Sequence, residues 1–426
     1  MKNSLCRTLI WSLLCMSLVA PAYSAVTLIG KGVISGNASD QSGLSGLLED
    51  GVTPRNQVGG LGSAIAYTGY GSRYVAVPDR GPADGATTYI DRLYVLDIKL
   101  SKRGLNAYDV SPVVRSTHLL RKKGSQYFTG SAAAFDATGS VESLRLDPEG
   151  VRVDRCGETA YVSDEYGPYI YEFKIASGKR VRALELPNKF LIDLPSATPG
   201  DELSKNVAGR QANRGMEGLA ISPDGTKLYG IMQSPLIQDG ALDAANSRVG
   251  LNARILEINV DTGAVREFLY QLDDKSNGVS EILAINDHEL LVLERDGRVG
   301  KNATVKKIVK IDISSATDIR AIKQLPTSGT PGGVTPVTKS LFIDLLDSKF
   351  GIGNRDDTPE KFEGLAFGPD LDDGRHLLIV TVDNDFIGTS DNLFYAFAID
   401  RADLPGNRPQ EFSRSWRQCL EHRDDE

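Results

Sequence analysis

The sequence predicts an all-β protein: a β-propeller of four-stranded blades, with five blades or alternatively six. The main observation is a repeat. MEGLAISPDGTKLYGIMQS at 216–234 and FEGLAFGPDLDDGRHLLIVTVDND at 362–385 share Glu-Gly-Leu-Ala and a following Pro-Asp. Related stretches begin at Ser63, Glu149 and Glu281. Each copy has two short apolar runs around a turn rich in Gly, Asp or Asn, as paired strands do. Units repeated in this way are typical of propellers.

Further apolar runs complete the blades. They are short and rich in β-branched and aromatic residues, which favour strands. Fourth runs are clearest at 180–186 and 264–270, whereas the fifth copy lacks one before the charged tail. We expect VTLIGKGVI at 26–34 to supply that strand and close the ring. A sixth, degenerate blade is possible within 112–146, and a two-sheet sandwich is the alternative fold. The third strands are predicted at 91–98, 169–175, 253–260, 306–313 and 392–399.

The two ends of the chain differ from the repeats. Lys2 and Arg7 precede an apolar run and then small residues, so 1–24 is predicted to be a signal peptide cleaved near Ser24. We therefore expect a secreted or periplasmic protein, and we favour a bacterial source. The propeller is expected to cover 25–400, followed by a charged tail at 401–426.

The cysteines agree with export. Cys6 and Cys15 fall within the signal, which leaves Cys156 and Cys419. An oxidising compartment favours a disulfide between them, and that bond would tie the tail to the body of the protein. Two free buried thiols are the alternative.

Charge and motifs narrow the function. The formal net charge is −8 with no basic stripe, which argues against a nucleic-acid partner. Beyond the signal, no segment is long and apolar enough to span a membrane. A Gly-x-Ser-x-Gly elbow, a P-loop and a dinucleotide fingerprint are all missing from the sequence. We expect a monomer that acts on a small molecule.

The repeat brings carboxylates together. In a propeller the first strand of each blade lines the central channel, so the residue before it and the residue after the second strand face one rim. The Glu residues that begin the repeats are predicted to form a ring of catalytic or ligand groups: Glu149, Glu217, Glu281 and Glu363. The acids that end the second strands are predicted to hold a metal: Asp79, Asp164, Glu165, Asp383 and Asp385.

Several carboxylates at one mouth repel one another, and bound cations or arginines would relieve that repulsion. Oxygen ligands without His or Cys suit Ca²⁺, and Mg²⁺ is possible. Arg80, Arg214 and Arg295 are candidates to bind a phosphate ester. The sequence therefore predicts metal-assisted hydrolysis of a phosphate mono- or diester. Carboxylic ester or lactone hydrolysis and a non-catalytic binding platform are the alternatives, and each Glu could instead serve only to cap backbone amides.

Four of these stretches resemble a known family. NRGMEGLAISPDGTKLYGIMQS, VSDEYGPYIYEF, VPDRGP and KFEGLAFGPD resemble the bacterial phytase-like proteins, which carry an "esterase-like activity of phytase" domain. The resemblance covers about residues 55–400. It implies phosphoester hydrolysis, while Gln233 replaces an acid at the end of one second strand. The residues to which it assigns that chemistry are Glu217, Glu363, Asp164, Glu165, Asp79 and Arg80.

Overall fold

The computed structural model describes residues 26–136, 143–167 and 169–413. The predicted signal peptide and Cys419 lie outside these residues. The described strands form five antiparallel sheets of four strands each, so the predicted propeller is confirmed with five blades. None of the described helices is long or apolar enough to cross a membrane.

The twenty strands follow the chain from blade to blade. Blade 1 contains β2 (Leu61–Tyr67), β3 (Arg73–Pro78), β4 (Arg92–Gly104) and β5 (Ala107–Leu119). Blade 2 contains β6 (Pro148–Val153), β7 (Thr159–Asp164), β8 (Tyr169–Lys174) and β9 (Arg180–Glu185). Blade 3 contains β10 (Met216–Ile221), β11 (Lys227–Met232), β12 (Asn252–Asn259) and β13 (Val265–Gln271). Blade 4 contains β14 (Asn277–Ala284), β15 (Glu289–Asp296), β16 (Lys306–Asp312) and β17 (Thr338–Asp344). Blade 5 contains β18 (Phe362–Phe367), β19 (His376–Val382), β20 (Asn392–Ile399) and β1 (Thr27–Ile34).

In the described residues, helical structure is confined to the connections between strands. Two short helices lie in loops, α1 (Pro82–Gly85) and α2 (Pro199–Lys205). Single 3-10 turns occur at Asn188–Phe190, Ile237–Asp239, Gly300–Asn302 and Ser348–Phe350.

The turn inside the repeat shows why Pro-Asp and a following Gly stand between paired strands. In blade 3 the side chain of Asp224 accepts a hydrogen bond from the Thr226 amide at 3.0 Å. Gly225 has φ of 74°, a conformation that residues with a side chain rarely adopt. These residues therefore fix the β10–β11 hairpin locally.

The N-terminal strand closes the ring as predicted. β1 pairs antiparallel with β20, with Thr27 opposite Ala398 and Ile34 opposite Asn392. Blade 5 thus joins the two ends of the described chain. The expected alternative of a sixth blade is wrong, because 107–119 forms the outer strand of blade 1 and the described residues form five sheets only.

The core lies between the blades. The innermost strands β2, β6, β10, β14 and β18 contact one another in a ring around the axis. Apolar side chains from adjacent blades pack together: one buried cluster contains Phe268 of blade 3 and Val292 of blade 4. This packing fixes the angle between blades and so the shape of the central channel.

Candidate functional site

A β-bulge near the start of the innermost strand aims one side chain toward the channel mouth. The register of β6 shifts between Pro148 and Gly150, and that of β10 shifts between Met216 and Gly218. Bulges commonly re-aim side chains next to functional sites. The residues in the bulges of blades 2 to 5 all line the mouth: Glu149, Glu217, Ser280 and Glu363.

Glu281 is not part of this ring. The sequence alignment of the repeats predicted that Glu281 is equivalent to Glu217. In blade 4, however, the residue in the bulge is Ser280. Glu281 occupies the position of the glycine in the other repeats. It is fully buried below the mouth, with its Oε2 3.0 Å from the guanidinium of Arg152. Burial raises the pKa of Glu281 to about 7.

All five blades contribute polar side chains to the mouth, which encloses a cavity of 320 Å³. Carboxylates dominate the side formed by blades 1, 2 and 5. Arginines dominate the side formed by blade 3 and the loops around it. The charged residues that line the cavity are Asp79, Arg80, Asp84, Glu149, Glu165, Arg214, Glu217, Arg248, Arg295, Glu360, Lys361, Glu363 and Asp385.

Lys361 holds three aspartates on the acidic side. Its Nζ lies 3.1 Å from Asp79 Oδ2, 2.9 Å from Asp385 Oδ1 and 3.5 Å from Asp383 Oδ2. Burial opposes ionisation of Asp79, but the charges of Lys361 and Arg80 outweigh it and lower the pKa of Asp79. In contrast, burial raises the pKa of Asp383 to about 8.

Arg80 holds the acids of blade 2. Its guanidinium lies 2.6 Å from Asp147 Oδ2 and 3.7 Å from Glu165 Oε2. Burial and the nearby charge of Glu217 raise the pKa of Glu165 to about 7. Burial raises the pKa of Glu149 well above its usual range, and the carboxylates around Glu149 add to that shift. This side of the mouth therefore has more carboxyl groups than its cations compensate, and Glu149 and Glu165 resist ionisation.

Glu217 and Glu363 lie between the two sides. Gln233 Nε2 donates to Glu217 Oε1 at 2.7 Å, and a terminal nitrogen of Arg295 lies 2.8 Å from Glu363 Oε1. The second oxygen of each glutamate is buried with no hydrogen-bond partner among the described residues. Burial, together with the charge of Glu363, raises the pKa of Glu217 to about 8. Glu217 can therefore carry a proton at neutral pH, as a general acid must.

The opposite side is basic. Arg214 donates to Ser234 Oγ at 2.9 Å, and within the described parts of the chain neither Arg214 nor Arg248 has a carboxylate at ion-pair distance. Burial and the neighbouring charge of Arg248 lower the pKa of Arg214 to about 10. Guanidinium groups that repel one another at a cavity wall favour a bound anion.

Two predicted metal ligands lie behind the mouth. Asp164 is buried and accepts hydrogen bonds from the amides of Asp147 at 3.0 Å and Tyr166 at 3.1 Å. Asp383 lies beneath Lys361 and does not line the cavity. Asp164 therefore organises the backbone around Asp147. The other predicted residues at the mouth are Asp79, Arg80, Glu149, Glu165, Arg214, Glu217, Arg295, Glu363 and Asp385.

Sequence reasoning missed five charged residues of the site: Asp84, Asp147, Arg248, Glu360 and Lys361. Asp147 stands two residues before Glu149, so the repeat alone could have indicated it. Lys361 likewise stands two residues before Glu363. Arg248 lies in the loop between β11 and β12, where no sequence pattern marks it.

The predicted disulfide is only partly described. Cys156 is disulfide-bonded, whereas Cys419 lies outside the described residues. The pairing of these two cysteines stays a prediction.

A five-bladed propeller with a charged cavity on its axis defines a class of proteins whose polar site is assembled from every blade. Within that class the chain belongs to the phytase-like family, described as "Esterase-like activity of phytase", which matches residues 56–386. The predicted family is thereby confirmed.

One relative and two solved structures complete the comparison. An "Uncharacterized secreted protein" of the fungus Arthroderma benhamiae is 26% identical over 88% of this chain and 90% of its own length. Since that relative is fungal, the bacterial source stays a prediction. Kuenenia stuttgartiensis hydrazine synthase is 15% identical over 82% of this chain and 77% of its own, with a TM-score of 0.34. A putative 6-phosphogluconolactonase from Bacteroides uniformis is 14% identical over 79% of this chain and 85% of its own, with a TM-score of 0.32. Similarity this distant carries no argument about activity.

Proposed function

We propose that the mouth is the active site of a phosphoric ester hydrolase. The observation that carries the proposal is the division of one cavity into an acidic side and a basic side. Arg214 and Arg248 lack carboxylate partners within the described residues and face the same cavity as Glu149 and Asp79. A phosphate ester would fit between them, with its anionic group toward the arginines.

The acidic side fits a hard divalent cation, with Ca²⁺ the leading choice. The donors there are carboxylate oxygens, and one oxygen of buried Asp147 has no hydrogen-bond partner among the described residues. The described residues that line the cavity include no His or Cys, which would favour zinc. A bound cation would polarise the phosphoryl oxygen and lower the pKa of a bound water.

The side chains between the two sides would move protons. Glu217 retains its proton near neutral pH and would donate it to the leaving alcohol as the phosphoester bond breaks. Glu363 is ion-paired with Arg295 and would accept the proton of the attacking water. Arg214 and Arg248 would hold the negative charge on the phosphoryl oxygens.

Carboxylic ester or lactone hydrolysis is the second candidate. The family description, esterase-like, favours it. Such a substrate would use Glu217 and Glu363 in the same way but would need no anion site at Arg214 and Arg248. Turnover of aryl acetates or lactones without turnover of phosphates would select this candidate.

Hydrolysis by the chain that begins at Ala25 tests the proposal. We would measure phosphate release from phytate and nitrophenol release from bis(p-nitrophenyl) phosphate, with Ca²⁺ and after chelation. We expect Ca²⁺-dependent turnover that is lost in Glu217→Gln/Glu363→Gln. The matched control is Glu185→Gln/Glu411→Gln, because both of these glutamates are exposed and lie away from the mouth.

Each other outcome has a defined meaning. Turnover that persists in Glu217→Gln/Glu363→Gln would refute the assigned roles. No turnover of any ester by folded protein would leave the propeller as a binding platform.

A further inference from the structure

Two groups of carboxylates at the mouth could each surround a cation. Asp79, Asp383 and Asp385 can place one oxygen each within 4.8 Å of one another, and so can Asp79, Asp147 and Glu149. The two groups share Asp79, which follows β3 in blade 1. They differ in what already lies between the carboxylates.

Lys361 occupies the first group. Its ammonium contacts a carboxylate oxygen of all three aspartates, at 3.1, 3.5 and 2.9 Å. An ammonium at the centre of three carboxylates supplies the charge that a metal ion would supply there. This group is therefore already compensated by the chain itself.

In the second group, no described cation contacts all three carboxylates: Arg80 holds Asp147, Lys361 holds Asp79, and Glu149 is left without a cation. Asp147 is fully buried, and only its Oδ2 is held by Arg80, at 2.6 Å. Its other oxygen, Oδ1, is buried and accepts no hydrogen bond from an N–H or hydroxyl group of the described residues, although Asp147 also lies within hydrogen-bonding reach of the Glu165 carboxyl group. Glu149 has no ion pair with any described residue and lines the cavity beside Asp79, so an ion could reach this group from the mouth.

The local charge is also unbalanced. Within the part of the chain that the structure describes, Arg80 and Lys361 are the two cations in direct contact with the acids of this side. An unpartnered buried carboxylate oxygen is costly, and a divalent cation would relieve that cost. Among the described residues, seven acids surround these two cations: Asp79, Asp84, Asp147, Glu149, Glu165, Asp383 and Asp385.

We propose that the protein binds one hard divalent cation at Asp79, Asp147 and Glu149, and that Lys361 is a built-in cation that replaces a second one. This assignment deepens the proposed function, because it selects the ligands and the number of ions. It replaces the predicted ligands Asp164 and Glu165 with Asp147 and Glu149. It places the ion between blades 1 and 2, beside Glu165, in the cavity that Arg248 also lines.

Calorimetric titration of chelator-treated protein with CaCl₂ tests the assignment without any substrate. We expect one binding site in the unaltered protein. Asp147→Asn should weaken binding about tenfold or more, because a charged ligand is lost from the site. The matched control, Asp385→Asn, removes an acid from the Lys361 group and should change the affinity by less than about twofold.

Lys361→Gln provides the sharpest test. Removing the ammonium frees Asp79, Asp383 and Asp385, so the stoichiometry should rise from one Ca²⁺ to two. Because Asp147 is fully buried, Glu149→Gln serves as a second variant, and circular dichroism confirms that each variant is folded. Glu149→Gln should also weaken binding about tenfold or more.

Several results would overturn the assignment. These are no saturable binding by the unaltered protein, unchanged affinity in both Asp147→Asn and Glu149→Gln, or one site in folded Lys361→Gln. If the unaltered protein binds no Ca²⁺, the conclusion would be that protons shared between the carboxylates neutralise their charge. Binding at one site without ester turnover would instead overturn the proposed function and leave the cation site standing.

Discussion

Replacing Arg152 with Met should destabilise the whole propeller, because this side chain joins the innermost strands across the channel. Arg152 of β6 donates to the carbonyl oxygens of Ile65 at 2.9 Å and Ile282 at 2.8 Å. It also pairs with Glu281 at 3.0 Å. Glu281 in turn accepts a hydrogen bond from the Leu219 amide at 3.0 Å. Four of the five blades meet at this pair.

The expected loss follows from burial of both charges. The side chain of Arg152 is 3% exposed and that of Glu281 is 0% exposed. Removing one partner of a buried ion pair costs about 3–5 kcal/mol, since the other charge stays buried without compensation. Burial already raises the pKa of Glu281 to about 7, so below that pH Glu281 can take up a proton in the variant. The loss should therefore be about 4 kcal/mol at pH 8 and smaller at pH 6.

Urea denaturation followed by far-ultraviolet circular dichroism measures the effect at both pH values. The control is Lys301→Met, which breaks an exposed ion pair with Asp356 and should cost less than about 1 kcal/mol. Arg152→Met/Glu281→Gln removes the uncompensated charge and keeps an acceptor for the Leu219 amide, so it should recover at least half of the loss. A loss no larger than that of Lys301→Met, or one equal at pH 6 and pH 8, would refute the reasoning.

Three further predictions concern pH, the repeat glycine and the basic side of the mouth. The folded-state pKa of Glu217 is about 8, above its ordinary value, so the folded chain holds a proton that the unfolded chain loses. As the pH rises from 5 to 8, the free energy of unfolding of chelator-treated protein should therefore fall by about 1 kcal/mol per pH unit for each such proton. Urea midpoints that do not change with pH would contradict this. Gly218→Ala places a Cβ 2.7 Å from the backbone nitrogen of Ile282 in the next blade, so it should lower the free energy of unfolding in urea by about 2 kcal/mol or more. In the control, Gly332→Ala, the added Cβ meets no atom within 4 Å, so the free energy of unfolding should hardly change. Arg248→Met should raise KM for a phosphorylated substrate about tenfold, because the anion site loses one of its two arginines. The urea midpoint should not fall, because the Arg248 side chain is exposed and has no ion pair within the described residues. An unchanged KM would show that Arg248 is not part of the anion site.

The sequence predicts the mouth less completely than it predicts the blades. Glu217 and Glu363 share the Glu-Gly-Leu-Ala pattern, and both lie in bulges that face the cavity. Glu281 is the same residue type but occupies a different position, since Ser280 lies in the bulge of blade 4. A one-residue shift in register changes which side chain faces the channel, and the sequence does not reveal that shift.

The sequence by itself determined most of the strands, the turns, the repeat and the strand that closes the ring, whereas the tertiary structure decided between five and six blades. These features depend on local properties: β-branched runs, turns rich in Gly, Asp or Asn, and a fifth repeat that needs one more strand. Only the tertiary structure decided which charges meet. Lys361 lies among three aspartates, Asp147 is held by Arg80 from another blade, and Arg248 reaches the mouth from a long loop. Such contacts join residues that are distant in the chain, and the packing of five blades around one axis brings them together.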